Sequence, residues 1–319
     1  MLNRRILRVK AYKVLYSCAE NQALSLKDAL SELNAGLEAA RDLYIYLLGI
    51  IPALTAEAAR RIEAAKEKFN PTEEELNPSM KFVSNAFARI LNEDPDYQRL
   101  IEKKHFSWEQ NDSLVSSLWE TVRTRQYFKD YMTSEDSSIK ADAALWKAVF
   151  SNELEDSDAL QSILEDNSLF WTADDLGYVL GFSLKAFDRM AKTGTWNLPP
   201  LYQSEILQAE GKKADSDSDF VRTLLTVAFG RREEYAKLIS GNVSKWDLER
   251  LCTSDIILVS MGIAEAVAFP EIPLKVSINE YVEIAKYYST PRSSGFVNGL
   301  LDRITRDMQQ RGEIVKNTL

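Results

Sequence analysis

Apolar positions recur with a helical period along nearly the whole chain. In the first segment Leu7, Ala11, Val14, Leu15 and Cys18 fall at i, i+4, i+7, i+8 and i+11, which builds one apolar helix face. The same period predicts helices near 25–49, 53–68, 79–91, 96–104, 109–131, 137–152, 157–165 and 173–190. After the stop at Trp196-Asn197-Leu198-Pro199-Pro200 and a polar link from Gly211 to Asp219, it predicts helices near 219–239, 245–268, 278–288 and 294–310. Asn70-Pro71, Asn77-Pro78 and Asp94-Pro95 each place a capping side chain before a proline whose fixed φ suits the first helical position. No run alternates well enough to form a strand, so the fold class is all-α.

Composition agrees. The 319 residues include 12 glycines and 9 prolines, too few turn formers for a sandwich or barrel. The length suggests about two domains. No stretch approaches eighteen uninterrupted apolar residues, so no transmembrane helix is expected. The N-terminus lacks the apolar run and small-residue cleavage site of a secretory signal. Cys18 and Cys252 are too few for a disulfide framework. The expected location is cytoplasmic.

Charge changes the picture by its distribution. The net charge is −9, yet residues 1–19 carry Arg4, Arg5, Arg8, Lys10 and Lys13 with no acid, so the remaining residues hold −14. Placed on a helical wheel, these bases wrap the exposed side of the first helix. They read either as an arm for an anionic partner or as a solvated first turn. Between Ala148 and Leu184 there is no Lys or Arg, while residues 151–180 contain eight acids. That surface repels phosphate and either attracts a basic protein or is simply solvated. Trp108, Trp119, Trp146, Trp171 and Trp196 surround it, and core packing is the expectation for them.

Catalytic chemistry is nearly absent from the pattern. His105 is the only histidine, which excludes multi-histidine metal sites, and it follows Lys103-Lys104 where helix C-capping is the default role. There is no phosphate loop, GxGxxG or GxSxG. Gly177 and Gly181 are spaced for close helix packing. No catalytic residue, metal site or cofactor is expected. Near the C-terminus, Ser277-Ile278-Asn279-Glu280 reads as a capping box opening a helix that buries Ile278, Tyr281, Val282 and Ala285. Two serines then precede Gly295-Phe296-Val297-Asn298-Gly299, and a helix opening there offers free N–H groups and a positive dipole end to an anion.

At these residues the chain resembles a known family. The run from Lys275 to Lys286 (KVSINEYVEIAK), followed by Phe296 to Asp302 (FVNGLLD), is similar to the NusB family of transcription antitermination factors. Trp246 to Leu251, Asp255 to Leu258 and Glu265 look like that family's central helices. Arg4-Arg5-Ile6-Leu7-Arg8 and Val14-Leu15-Tyr16 look like its opening arginine-rich helix.

The resemblance implies an all-helical, non-catalytic protein that binds boxA-type RNA together with NusE, the small-subunit ribosomal protein ten, in an RNA polymerase antitermination complex on ribosomal RNA transcripts. It implies RNA-binding roles for Arg4, Arg5, Arg8, Tyr16, Ser293 and Phe296, and NusE-binding roles for Tyr16 and Asp255. It also divides the chain into residues 1–34 and 216–319 as a NusB-like domain and 35–215 as a helical insertion, as in long bacterial variants. Arg292 stands where the family can carry an acid. Two other readings stay open. One is a helical interaction scaffold that keeps the fold but has lost RNA binding. The other is the NusB-like domain of an RNA methyltransferase, which would need a glycine-rich cofactor domain that the sequence lacks.

Overall fold

A computed structural model describes residues 1–202, 217–243 and 251–316. The chain divides into two compact units, residues 1–37 with 200–319 and residues 38–199. Among the described residues the only bridge of β type is an isolated parallel pairing of Leu2 with Tyr202, and the rest of the regular structure is helical. The all-α expectation holds. Trp246 to Arg250 and most of the polar link from Gly211 lie outside the described residues.

In the first unit α1 (Arg4–Glu20) opens at Asn3, whose side chain accepts from the Ile6 N–H at 3.1 Å. The unit continues with the start of α2 (Leu26–Leu48) and resumes after Pro200. Among the described residues there follow, in our chain-order numbering, α12 (Asp217–Gly230), α13 (Arg232–Gly241), α14 (Thr253–Ala268), α15 (Leu274–Tyr288) and α16 (Ser293–Gln310). Helix α14 is the axle: α1, α12, α13, α15 and α16 all pack on it. A helix surrounded on all sides must be apolar all round, and every residue of α14 from Ile257 to Ala266 is buried. Two of its residues are exceptional. Gly262 lets Leu301 of α16 approach to within the space a Cβ would need, and Glu265 is a carboxylate with no exposed surface.

The second unit comprises the end of α2 with α3 (Ile50–Lys66), α4 (Glu73–Leu76), α5 (Ala86–Glu93), α6 (Pro95–Lys104), α7 (Asp112–Val122), α8 (Gln126–Thr133), α9 (Ile139–Val149), α10 (Asp158–Asn167) and α11 (Ala173–Thr193). Trp108, Trp146, Trp171 and Trp196 are buried and Trp119 half-buried, so the tryptophans are core. A polar hub organises the centre. Asn85 caps α5, donates to Thr55 and Phe82, and accepts the Trp146 indole N–H, while Asp142 accepts from the Ala86 N–H and the Tyr131 hydroxyl. His105 is the C-cap of α6 in the left-handed region, at φ 54°, as its position predicts.

Several expectations are corrected. The helix expected over 79–91 starts only at Ala86, because the capping side chain used is Asn85 and not Asn77. Thr72 with Glu75, and not Asn70, caps α4. The expected 109–131 helix breaks into α7 and α8 around 123–125. Gly177 and Gly181 do not serve close packing: a Cβ on Gly181 would meet nothing within 4 Å, and one on Gly177 only the Glu155 carboxylate at 3.9 Å. The helical run over 26–66 is long and apolar enough to cross a membrane, although no eighteen consecutive residues are apolar; 67% of its most apolar window is buried in the protein, as in a core helix.

The closeness of α14 and α16 gives a test. A Cβ on Gly262 would sit 2.7 Å from Leu301 Cδ2 and 3.3 Å from the Tyr281 ring, both buried. Gly262→Ala is expected to cost about 1–3 kcal/mol by overpacking, despite alanine's better helix propensity. Chemical denaturation measures it, and a stabilised variant would mean these helices are not held at this distance.

Candidate RNA and protein interface

The arginines of α1 do not wrap a solvated side. That expectation is corrected, because α12, α14 and α15 bring carboxylates against them. Arg8 is buried; its Nε and Nη2 donate to the two oxygens of Glu265, each at 2.7 Å. Arg5 donates in the same two-pronged way to Glu280 at 3.0 and 2.8 Å, and Arg8 Nη1 reaches Glu280 at 3.5 Å. Arg4 pairs with Asp217 at 3.2 Å. The Phe220 ring lies beneath the Arg4 and Arg8 guanidiniums at 4.9 and 5.1 Å. Lys10 is also buried. Arg5 is the most open of the three arginines, with half of its side chain exposed.

Glu265 is the hub. Besides Arg8, it accepts from the Ser277 hydroxyl at 2.7 Å and the Tyr281 hydroxyl at 2.8 Å. Four donors thus surround a carboxylate that has no exposed surface. Burial works against the charge on Arg8, but its hydrogen bonds and Coulomb attraction to Glu265 prevail and hold its pKa above the usual value. Burial, with Glu265 beside it, pushes the Tyr281 phenol well up, so that hydroxyl stays a donor. These contacts overturn the expected capping box. Helix α15 begins four residues earlier, at Leu274 after Pro273, leaving Ser277 inside the helix with its hydroxyl turned to Glu265 and Glu280 turned to the arginines. On α15 Tyr281 and Ala285 are buried as expected, whereas Ile278 and Val282 are half-buried and Ile284 is the further buried residue.

Further along the α1–α15 seam lies an aromatic cluster. Tyr12, buried, donates to Ser254 at 2.8 Å and packs against Tyr288 (centroids 5.1 Å apart) and Tyr16 (6.2 Å). Tyr16 is exposed, and Lys13 Nζ lies 5.7 Å from the Tyr288 centroid. The adjoining loop is tied down by Asp255, whose two oxygens accept from the Ser289 hydroxyl at 2.7 Å and the Ser293 hydroxyl at 3.1 Å. Ser293 Oγ in turn accepts the Thr290 N–H at 3.2 Å. Asp255 and Ser293 are both buried, so they shape the loop from within. Arg292 precedes α16 without a side-chain cap, and Phe296, half-buried, sits on its first turn.

The structure therefore gathers Ser293 and Asp255 in one loop, with Phe296 on the helix that follows, and places Tyr16 against Tyr12 in the aromatic cluster. It sets Arg5 about two to three helical turns away along α15 and places Arg8 inside. Sequence reasoning missed Tyr12, Ser254, Tyr288 and Ser289, and missed Glu265, Glu280 and Asp217 as partners of the arginines. Tyr12 could have been found, because it lies one turn before Tyr16 on the same face.

Two outcomes are expected. Glu265→Gln leaves Arg8 buried beside a neutral amide and should cost about 3–5 kcal/mol in urea unfolding. Adding Arg8→Met should recover part of that loss; full additivity of the two changes would show that the residues do not interact. The second outcome concerns pH. Hydrogen bonds from Arg5, and then the charges of Arg8 and Arg5, hold the Glu280 carboxyl below its ordinary 4.5 against the opposing effect of burial. A carboxylate with a depressed folded-state pKa stabilises fully above its unfolded value, and this contribution fades as pH falls below 4.5 towards the folded value. Glu280→Gln should therefore flatten the stability profile in that acid range and leave its slope near neutrality unchanged; equal acid slopes would remove Glu280 from the account.

The family model matching this chain is that of the NusB family, over residues 197–306. Transcription antitermination protein NusB of Salinibacter ruber is 39% identical over 101 residues, covering 32% of this chain and 63% of that protein. The namesake from Myxococcus xanthus is 42% identical over 96 residues, covering 30% of this chain and 69% of its own length. That from Chloroherpeton thalassium is 35% identical over 99 residues, covering 31% and 47%. No solved structure matches. The matched segment contains α14, α15 and most of α16 with Asp255, Glu265, Glu280, Ser293 and Phe296, so Glu265 and the loop that Asp255 holds lie within the shared region and Arg8 lies outside it. By this match the chain belongs to the NusB family.

Proposed function

We propose that the protein is a cytoplasmic antitermination factor that binds boxA-type RNA together with NusE and enters the RNA polymerase antitermination complex. Membership of the NusB family carries this reading. The chemistry of the α1–α15–α16 face supports it. An exposed tyrosine, a half-buried phenylalanine and a hydroxyl-rich loop at an uncapped helix N-terminus suit unpaired bases and phosphates. In this reading Tyr16 and Phe296 stack on bases, while Arg5, with Arg4 beside it, meets phosphate by exchanging carboxylate for phosphate oxygens. Arg8 and Ser293 act from beneath, Arg8 by fixing α1 and Ser293 by fixing the loop. Asp255 serves the NusE face in the same indirect way, by holding the loop of Ser289 and Ser293. In this reading the insertion expected over 35–215 is the second unit, residues 38–199, and residues 1–37 and 200–319 are the two parts of the NusB-like domain.

One observation favours the scaffold reading: all three arginines already have carboxylate partners. The salt dependence of binding separates the two. Full-length protein with NusE should bind boxA-type RNA more tightly than a scrambled sequence. Arg4→Ala combined with Arg5→Ala should lower the log–log salt slope by about 0.7 for each single-strand phosphate that is no longer neutralised. Tyr16→Ala should cost roughly 1–3 kcal/mol of RNA affinity with little change in slope. Absence of any preference for boxA-type RNA, with or without NusE, would hand the assignment to the scaffold reading.

A further inference from the structure

The second unit carries its own chemistry. Residues 38–199 contain 28 acidic against 18 basic side chains, whereas the remainder contains 20 against 21. The acidity of the protein thus resides entirely in this unit. Much of it is neutralised internally: Glu57 pairs with Arg60 and Arg61, Glu153 with Arg125, and Asp42 with Lys104.

Between α3 and the turn joining α6 to α7 lies a cavity of about 430 Å³, open on one side. Tyr46, Phe106 and Trp108 supply its aromatic wall; Tyr46 and Trp108 are buried, Tyr46 between Trp108 and Trp171, and Phe106 is the partly exposed ring. Trp108 stacks on Tyr46 at 4.6 Å and donates its indole N–H to the Tyr46 carbonyl at 2.9 Å, while Phe106 meets Tyr46 edge-on at 5.5 Å. Gly49 is what permits this arrangement, because a Cβ there would lie 2.9 Å from the Trp108 ring. The wall is therefore rigid and preformed. Glu109 and Asp112 also line it, both exposed and both without an ion-pair partner among the described residues. The one basic residue lining the cavity, Arg60, already donates to Glu57 through Nε and Nη2.

An apolar lining with one partly open ring, sharing its cavity with unpaired carboxylates, favours a cation with an apolar body. A guanidinium satisfies both parts, laying its face on Phe106 and presenting forked donors to the carboxylates. Phosphate and nucleic acid are opposed by the same charges. The excess of ten acids over the unit adds long-range attraction for a basic chain. We infer that this cavity is a docking site for an arginine side chain presented by a basic polypeptide partner, separate from the NusB-like face and independent of the function proposed for it.

The test uses the full chain and calorimetry with three probes: a capped Lys-Arg-Lys peptide, the same peptide with citrulline for arginine, and capped arginine alone. The citrulline peptide should bind about tenfold more weakly, because citrulline keeps the shape and loses the charge. Glu109→Gln combined with Asp112→Asn should weaken the arginine peptide about five- to tenfold and leave the citrulline peptide within about twofold. Both positions are exposed, and an unchanged melting temperature confirms that the double variant is folded. Three results overturn the inference: equal binding of the arginine and citrulline peptides, equal weakening of both peptides by the double variant, or no binding at millimolar peptide. Capped arginine binding as tightly as the peptide would also overturn it, in favour of a small free cation as the ligand.

Discussion

The buried pair of Arg8 and Glu265 is the constraint on which the NusB-like unit depends. A carboxylate without exposed surface at the centre of α14 is tolerable only when its lone pairs are filled. Arg8 fills two from α1, and Ser277 and Tyr281 fill others from α15. Arg8 stands 257 residues from Glu265 in the chain, and the other two stand 12 and 16 residues away. Satisfying one carboxylate therefore joins the two ends of the chain. The pair need not add net stability over an apolar replacement, since desolvation offsets much of its attraction. It does set rotation and register: turning α1 by one residue would take Arg8 off its carboxylate and leave Glu265 with the neutral donors of Ser277 and Tyr281 alone.

The neighbouring pairs follow from that register. With Arg8 inside, Arg5 lies over Glu280 and Arg4 over Asp217. One turn further on from Arg8, Tyr12 reaches Ser254 and Tyr288, and Tyr16 emerges at the surface against Tyr12. The basic segment and the aromatic cluster are two stretches of one seam. For a ligand to use the exposed guanidinium of Arg5 it must offer better oxygens than Glu280 does, which phosphates in a single strand can do at low salt and do less well as salt rises.

The second unit has the opposite electrostatic character. Its field disfavours RNA, and its aromatic wall and unpaired carboxylates favour cations. A chain that joins a unit of near-balanced charge to a strongly acidic one keeps two classes of ligand apart by charge alone, before any specific contact forms.

The helical period, the shortage of glycine and proline, the capping residue Asp94, the left-handed cap at His105 and the core role of most tryptophans were legible in the sequence, because each depends on neighbours a few residues away. The motifs of the last eighty residues were legible as family resemblance. The partners of Arg4, Arg5 and Arg8 were not. A count of charge along residues 1–19 reports +5 whether those side chains meet water or carboxylates, and the answer lay in Asp217, Glu265 and Glu280. The same holds for Ser277 and Glu280: their spacing matches a capping box, but the demand of a buried carboxylate and a helix begun at Leu274 redirected both. Asp255 and Ser293 were readable as residue types with family roles, yet only packing turned them inward. Local order is fixed by short-range periodicity and capping. Which charges are free to act is decided by tertiary structure, because it alone brings distant carboxylates within hydrogen-bond reach and removes the water that would otherwise have solvated them.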